Sequence, residues 1–321
     1  MAEPTSTPPA AGVFTPAPAV SKGRTFVRRL GSTLGLYAFV LFALFSGHSI
    51  FSDLLFVGTM LVVAGLGLHE FYDLVEKSGF DSFRKWGLAG GVALLTGTFL
   101  CLQGKLVPNL QSRVGDFETA VLIVLVLGLC LRQFLSHRPG SGLARMATTL
   151  FGVMYVPWLL NYILKLQFFR AVSDGGNMPV VINGNFYVLY FILVTKCSDL
   201  GAYCVGSLIG KHKMIPRISP GKTWEGFGGA IVVSTGVSLT FAHFAASKLY
   251  GMNWMHAVIL GVVLSSAAVV GDLIESLLKR EAKVKDSGRW FPGIGGILDL
   301  VDSLLFNAPL MYLYLRHILT H

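Results

Sequence analysis

Hydrophobic stretches of membrane-spanning length recur along this chain from about residue 30 to its end. We place about nine of them, near 33–50, 54–69, 87–103, 118–135, 147–164, 181–200, 227–246, 256–275 and 295–315. A helix needs roughly 20 mostly apolar residues to cross the ~30 Å hydrocarbon core of a bilayer. The pattern therefore predicts an all-α polytopic membrane protein with about nine transmembrane helices.

Composition supports this prediction and divides the chain into three regions. The 321 residues are 53% hydrophobic and only 13% charged, whereas about a quarter of the residues in a soluble domain are charged. Residues 1–30 have no apolar period, are rich in Pro, Ala and Thr, and end in a basic patch, so we expect a disordered tail. Residues 31–180 form an N-terminal set of helices with few distinctive polar groups. Residues 181–321 form a C-terminal membrane region that carries the candidate chemistry.

The net charge of +9 follows from membrane topology. If the N-terminus is cytosolic, most of the 26 Lys and Arg residues fall on the cytosolic side, as the positive-inside rule requires. The basic excess then serves orientation and attraction to anionic lipid, so we expect no nucleic-acid partner. We expect an integral membrane protein of a bacterial inner membrane, with its N-terminus in the cytosol.

The densest group of charges lies in residues 271–303, GDLIESLLKREAKVKDSGRWFPGIGGILDLVDS. Helical spacing places several of its polar residues on one face of a helix: Asp272, Glu275, Ser276, Lys279 and Lys283. After a Gly/Pro turn, Asp299, Asp302 and Ser303 repeat this stripe. An acid inside a bilayer costs roughly 3 kcal/mol on insertion scales, and a divalent metal would offset that cost. The alternative is a salt-bridged loop between two helices.

A second polar element, SPGKTWEG (219–226), predicts a phosphate site. Ser219 suits a helix N-cap and Pro220 the first helical position. Lys222 would then lie in the first turn, where a cation opposes the helix dipole unless an anion binds there. Upstream, Asp199 lies at the cytosolic end of the sixth span. GSLIGK (206–211) lacks the spacing of a phosphate loop, so its glycines indicate close helix packing.

The early spans contain one polar helix end, LHEFYDLVEKSG (68–79). His69, Glu70 and Asp73 have side chains that could bind a metal. We favour a solvated helix end for them.

These acids and basic residues converge on the cytosolic side. Acids for a metal, together with lysines and a helix start for phosphates, suit a metal-assisted reaction between a soluble polyphosphate and a lipid-borne group. We therefore place the active site at the cytosolic membrane face.

Residues 276–302 resemble the signature of the phosphatidate cytidylyltransferases, the CDP-diacylglycerol synthases. SPGKTWEG and the stretch CSDLGAYCVGSLIGKHK also resemble elements of that family. The resemblance covers roughly residues 190–310. Two positions depart, because Ile294 replaces the usual His and Leu300 the usual Arg. The matching positions of the main signature are Ser276, Lys279, Arg280, Lys285, Asp286, Pro292, Gly293, Gly295, Gly296, Asp299 and Asp302.

The resemblance implies that phosphatidic acid and CTP react to give CDP-diacylglycerol and pyrophosphate with Mg²⁺, a second cation being left open. It implies metal binding by Asp272 and Asp299. We add Asp302, Glu275 and Asp199 as further or supporting ligands. The expected catalytic and phosphate-binding residues are Ser219, Lys222, Thr223, Lys279, Arg280, Lys285 and Asp286. The expected partners are CTP, phosphatidic acid and membrane lipid, and a homodimer stays open.

Two other functions remain as alternatives at this stage. A CTP-dependent polyprenol or phytol kinase would need a general base to activate a neutral hydroxyl. An ion or phosphate transporter would need acids near the middle of the membrane that are reachable from both sides, whereas these acids cluster at one face.

Overall fold

The structure is a computed structural model that describes residues 38–39, 41–45, 50–103, 113–136, 141–169, 182–288 and 295–320. Residues 38–39 and 41–45 are helical and belong to the first predicted span, 33–50. The rest of that span, apart from residue 50, lies outside the described residues. So do the predicted tail over residues 1–30 and the position of Ile294.

Eight helices within the described residues are long and apolar enough to cross a membrane, which confirms the all-α polytopic fold class. Within the fourth helix, a π-helical turn at Met154–Trp158 contains Pro157. The last helix ends in a similar turn at Leu315–Leu319. The helices are α1 (Ile50–Lys77), α2 (Arg84–Gln103), α3 (Val114–Phe134), α4 (Gly142–Gln167), α5 (Gly184–Ile209), α6 (Trp224–Phe244), α7 (Trp254–Glu281) and α8 (Ile297–Leu319).

A small β-hairpin between α5 and α6 was not predicted. Strand β1 (Lys213–Ile215) pairs antiparallel with β2 (Ser219–Thr223), with Lys213 opposite Thr223. The prediction that a helix starts at Ser219 is wrong, because this segment continues the hairpin and Thr223 is the N-cap of α6. The Thr223 hydroxyl accepts a hydrogen bond from Gly226 N at 3.1 Å, which satisfies one of the free amides at a helix start.

Helix α8 lies at the centre of the bundle. It packs against α7 and α5 and also against α1 and α4. Four of its buried side chains have no exposed surface: Leu298, Leu305, Met311 and Leu315. Crossing helices must alternate in direction, so α1, α5 and α7 end where α6 and α8 begin. We call this end of the bundle the site end.

Close packing of α5 against α6 fixes the position of the hairpin beside the bundle. A Cβ on Gly210 would lie 2.7 Å from Thr223 Oγ1, and one on Gly226 would lie 2.9 Å from the Ala202 carbonyl oxygen. These glycines therefore allow the helix backbones and the Thr223 cap to approach each other closely. The prediction that Gly206 and Gly210 serve helix packing is confirmed for Gly206, where a Cβ would lie 3.4 Å from Gly226 Cα. Gly210 is instead the C-cap of α5 and packs against Thr223.

Candidate active site

Three carboxylates from α7 and α8 meet at the site end. Oxygen atoms of Asp272, Glu275 and Asp302 all lie within 4.8 Å of one another. Asp272 and Glu275 are three positions apart on α7, so the helical period turns both towards α8. Glu275 is fully buried and Asp302 is 6% exposed. The predicted convergence of the two acidic stripes is therefore present in the structure.

Two lysines bridge these acids to other elements. Lys279 Nζ lies 2.7 Å from Glu275 Oε2 and 2.7 Å from Asp299 Oδ1, so it joins α7 to the start of α8. Lys222 Nζ lies 2.7 Å from Asp272 Oδ2, which ties the hairpin to α7. Because β2 precedes the helix, Lys222 lies outside the first turn of α6, and the helix-dipole part of the phosphate prediction is wrong.

Helix α5 adds a third lysine and a further acid to this group. Lys196 Nζ lies 3.6 Å from Asp199 Oδ2 and donates a hydrogen bond to the Leu300 carbonyl oxygen at 2.9 Å. Ser303 Oγ donates to Asp199 Oδ2 at 3.4 Å. Asp302 lies within electrostatic range of both Asp199 and Asp272. Asp199 thus lies beside the three central acids, and its predicted role as a metal ligand remains a prediction.

The charges of this group do not balance. Its acids outnumber its lysines by two, which leaves a formal excess of two negative charges if all are ionised. In addition, Glu275 Oε1 is buried without a hydrogen-bond partner among the described residues. A buried charge without a partner is costly, and carboxylate oxygens are the ligands that hard divalent cations prefer. The donor set therefore fits a divalent cation. We call these residues the site cluster: Asp199, Asp272, Glu275, Asp299, Asp302, Lys196, Lys222 and Lys279.

Asp299 has a different environment from the three central acids. Its Oδ2 accepts hydrogen bonds from Ser287 N at 3.2 Å and Gly296 N at 2.9 Å, while its Oδ1 accepts from Lys279. Both oxygens are thus engaged in holding the start of α8 and the preceding segment. The predicted assignment of Asp299 as a metal ligand remains a prediction.

The remaining predicted residues lie at the edge of the site cluster or beyond it. Arg280 is exposed and its Nε donates to the Ile218 carbonyl oxygen at 3.1 Å, which brings it beside Ser219 in the hairpin. Lys285 and Asp286 are exposed in the segment after α7. Lys283 also follows α7 and has a positive φ of 56°, so the helical stripe ends at Lys279.

Two buried residues near this site were missed by sequence reasoning. The solvated end predicted for Glu70 is wrong, because Glu70 is 1% exposed and binds the start of α8. Its position on the stripe formed by Gly67, Phe71 and Leu74, all buried, was the available signal. Tyr155 in the π-helical turn of α4 also has a buried hydroxyl without a hydrogen-bond partner among the described residues.

Comparison with known proteins agrees with this arrangement. Residues 27–318 match the cytidylyltransferase family. The chain belongs to that family. The phosphatidate cytidylyltransferase of Haemophilus influenzae is 30% identical over 293 residues, which cover 88% of this chain and 96% of the relative.

Shorter matches to other members have higher identity. The phosphatidate cytidylyltransferase of Mycobacterium bovis is 34% identical over 177 residues, covering 55% of this chain and 53% of the relative. That of Staphylococcus haemolyticus is 44% identical over 150 residues, covering 47% of this chain and 53% of the relative. The chain thus spans about half the length of these two relatives.

Proposed function

We propose that this membrane protein transfers CMP from CTP to phosphatidic acid, giving CDP-diacylglycerol and pyrophosphate. One observation carries the proposal. A cluster of acids with oxygen atoms close together lies next to Lys222, Lys279 and Arg280 at one end of the helix bundle, within a chain of the cytidylyltransferase family. Acids for a cation and bases for phosphates are what a phosphoryl transfer between two anionic substrates requires.

The reaction needs alignment and charge neutralisation more than a strong base. An oxygen of the lipid phosphate monoester, already anionic, attacks the α-phosphorus of CTP. The new P–O bond replaces the bond to the α,β-bridging oxygen, whose electron pair leaves with pyrophosphate. Lys222, Lys279 and Arg280 would bind the phosphate oxygens and hold the two substrates in line. Ser219, Thr223 and Lys285 would add further contacts to phosphate, and Asp286 would lie beside them.

The cation we propose is Mg²⁺, held by Asp272, Glu275 and Asp302. Asp199 and Asp299 lie next to these ligands and orient Lys196 and Lys279. When bound, Mg²⁺ would neutralise charge that develops on the phosphate oxygens. One such ion would balance the formal excess of two negative charges, and it would offer a partner to Glu275 Oε1, which has none among the described residues.

We also propose that the site end faces the cytosol, with the N-terminus on the same side, in a bacterial inner membrane. The Lys and Arg asymmetry of the sequence supports this orientation. Single cysteines at Ser6, Lys283 and Ser247, introduced after replacement of the four native cysteines, test it in intact cells. An impermeant thiol reagent added outside should label Ser247→Cys, in the α6–α7 connection, and spare the other two. Labelling of Ser6→Cys or Lys283→Cys from outside would overturn the orientation.

Product identity tests the proposed reaction. Purified protein is incubated with CTP labelled in the cytosine ring, Mg²⁺ and either phosphatidic acid or a polyprenol, and products are identified by mass. We expect labelled CDP-diacylglycerol and pyrophosphate from phosphatidic acid only. Phosphorylated polyprenol with CDP, and no CDP-diacylglycerol, would instead support the kinase. If neither lipid causes consumption of CTP, the proposed enzymatic function is wrong, and the result favours the alternative of an ion or phosphate transporter.

A further inference from the structure

Glu70 connects the first half of the chain to the signature segment, residues 276–302, of the second half. It lies on α1, and its carboxylate accepts three hydrogen bonds from residues more than 200 positions away. Ser287 Oγ donates to Oε2 at 3.1 Å, Leu298 N donates to Oε2 at 2.8 Å, and Ile297 N donates to Oε1 at 3.0 Å. The carboxylate therefore holds both the segment after α7 and the first turn of α8.

The start of α8 presents positive partial charge to Glu70, which favours a carboxylate at this position. The first amides of a helix have no partner within the helix and carry the positive end of its dipole. Glu70 supplies acceptors for two of these amides inside a buried site, where water is excluded. A Gln side chain would keep the size but would turn one acceptor oxygen into an NH₂ donor facing other donors.

Two glycines of the signature segment make room for this carboxylate. A Cβ on Gly288 would lie 2.0 Å from Glu70 Oε1, and one on Gly296 would lie 2.5 Å from Glu70 Oε2. Neither distance is compatible with a side chain, so the bound position of Glu70 requires glycine at both residues. The adjacent Gly295 has a φ of +112°, which gives this turn a conformation that residues with a Cβ rarely adopt.

Glu70 and Asp299 both bind Ser287 and the start of α8. Asp299 accepts from Ser287 N and Gly296 N, while Glu70 accepts from the Ser287 hydroxyl and the next two amides, of Ile297 and Leu298. Asp299 in turn contacts Lys279. A shift at the start of α8 would therefore move Asp299 away from Lys279.

We propose that Glu70 is a positioning residue of the candidate active site. Its carboxylate fixes Ser287 and the first turn of α8, and thereby sets the placement of Asp299 against Lys279. The catalytic part of this inference rests on the proposed cytidylyl transfer, whereas the structural part does not.

The experiment compares Glu70→Gln with Glu76→Gln, an exposed glutamate six positions later on α1. Hydrogen exchange of peptides covering residues 284–300 reports the anchoring, and steady-state kinetics with CTP and phosphatidic acid report the chemistry. For Glu70→Gln we expect exchange in this segment to rise at least tenfold, with unchanged exchange in α5 and α6. We also expect kcat to fall at least tenfold while KM for CTP changes less than threefold. Glu76→Gln should match wild type in both measurements.

A second pair of variants keeps the test decisive if Glu70→Gln does not fold. Gly288→Ala should displace the Glu70 carboxylate, because the new Cβ would lie 2.0 Å from Glu70 Oε1, and should cause the same local rise in exchange and fall in kcat. Its control is Gly65→Ala on α1, where a Cβ would meet nothing within 4 Å. The inference is wrong if Gly288→Ala leaves exchange and kcat within twofold of wild type. If wild-type protein makes no CDP-diacylglycerol, the proposed function fails, and the exchange data still decide whether Glu70 anchors the segment.

Discussion

Among the described residues, two groups of charges within the helix bundle differ in balance. In the first, Lys165 Nζ lies 2.6 Å from Glu118 Oε2, and Asn161 Nδ2 donates to Glu118 Oε1 at 2.7 Å. This group is formally neutral, and Lys165 also lies 4.3 Å from the ring centre of Tyr162. The second group, the site cluster, has two more acids than lysines. A paired set of charges is balanced within the fold, whereas an unbalanced set requires either protonation of an acid or a bound cation.

This contrast separates a structural ion pair from a candidate catalytic centre. Both groups contain acids and lysines inside membrane-spanning helices, where ionisable residues are rare and are a functional hypothesis by default. For Glu118 the partner is supplied by the fold, so no further function follows. For the site cluster, Glu275 Oε1 has no hydrogen-bond partner among the described residues, and we propose that a cation supplies the missing partner.

The largest expected effect comes from neutralising the acids of the site cluster. Asp272→Asn, Asp299→Asn and Asp302→Asn should each lower turnover by about a thousandfold or more, equivalent to ~4 kcal/mol of transition-state stabilisation. Steady-state assays on folded protein measure this, with the exposed Asp116→Asn of α3 as the control. A variant that folds and keeps more than about a tenth of the rate, a barrier change of only ~1.4 kcal/mol, would exclude that residue as essential.

Breaking the neutral pair should instead lower stability. Glu118→Gln leaves Lys165 buried without a counter-charge, which costs about 3–5 kcal/mol, while turnover of the folded fraction should stay within twofold. Thermal unfolding in detergent measures the loss. The double variant Glu118→Gln/Lys165→Met should recover most of it. A large fall in turnover without a loss of stability would erase the distinction between the two groups.

Replacement of Lys222, at the edge of the site cluster, should have an effect of intermediate size, seen in the KM for CTP. Lys222→Met removes a proposed phosphate contact and leaves Asp272 without its 2.7 Å partner. We expect KM for CTP to rise about tenfold, which corresponds to ~1.4 kcal/mol of binding. Lys213→Met, at an exposed position of the same hairpin, is the control. If both variants raise KM equally, the positive charge of the hairpin as a whole explains the effect, and a specific phosphate contact of Lys222 is excluded.

The smallest effect should come from the cap of α6. Thr223→Val removes the acceptor for Gly226 N and should lower stability by about 1 kcal/mol, the usual value of an N-cap. Thr240→Val on the same helix is the control, because its hydroxyl only donates to the Gly236 carbonyl oxygen. An unchanged melting temperature for Thr223→Val would show that the cap contributes nothing.

Sequence patterns were sufficient for the helices and for the central acids, because both depend on local periodicity. The stripe formed by Asp272, Glu275 and Lys279 follows from the helical period alone, and the structure brings it to Asp302. The start of α6 was misplaced, since a Ser-Pro pair fits an N-cap and a strand end equally well. Pairing with residues 213–215 is not visible in local sequence.

Long-range contacts explain the remaining misses. Glu70 looked like part of a solvated helix end because its partners, Ser287, Ile297 and Leu298, lie more than 200 positions later. The charge balance of the Glu118–Lys165 pair and of the site cluster could not be predicted from the sequence either, because it depends on which helices pack together. Periodicity predicts which face of a helix is polar, and packing decides what that face contacts.

Cation binding by the purified protein tests the central claim most directly. Mn²⁺, a spectroscopic substitute for Mg²⁺, is titrated into wild type, Asp272→Asn and Glu118→Gln, and free Mn²⁺ is measured by electron paramagnetic resonance. We expect saturable binding to wild type that Mg²⁺ displaces, the same affinity for Glu118→Gln, and at least tenfold weaker binding for Asp272→Asn. Equal affinities of wild type and Asp272→Asn would contradict the account, as would loss of binding in Glu118→Gln.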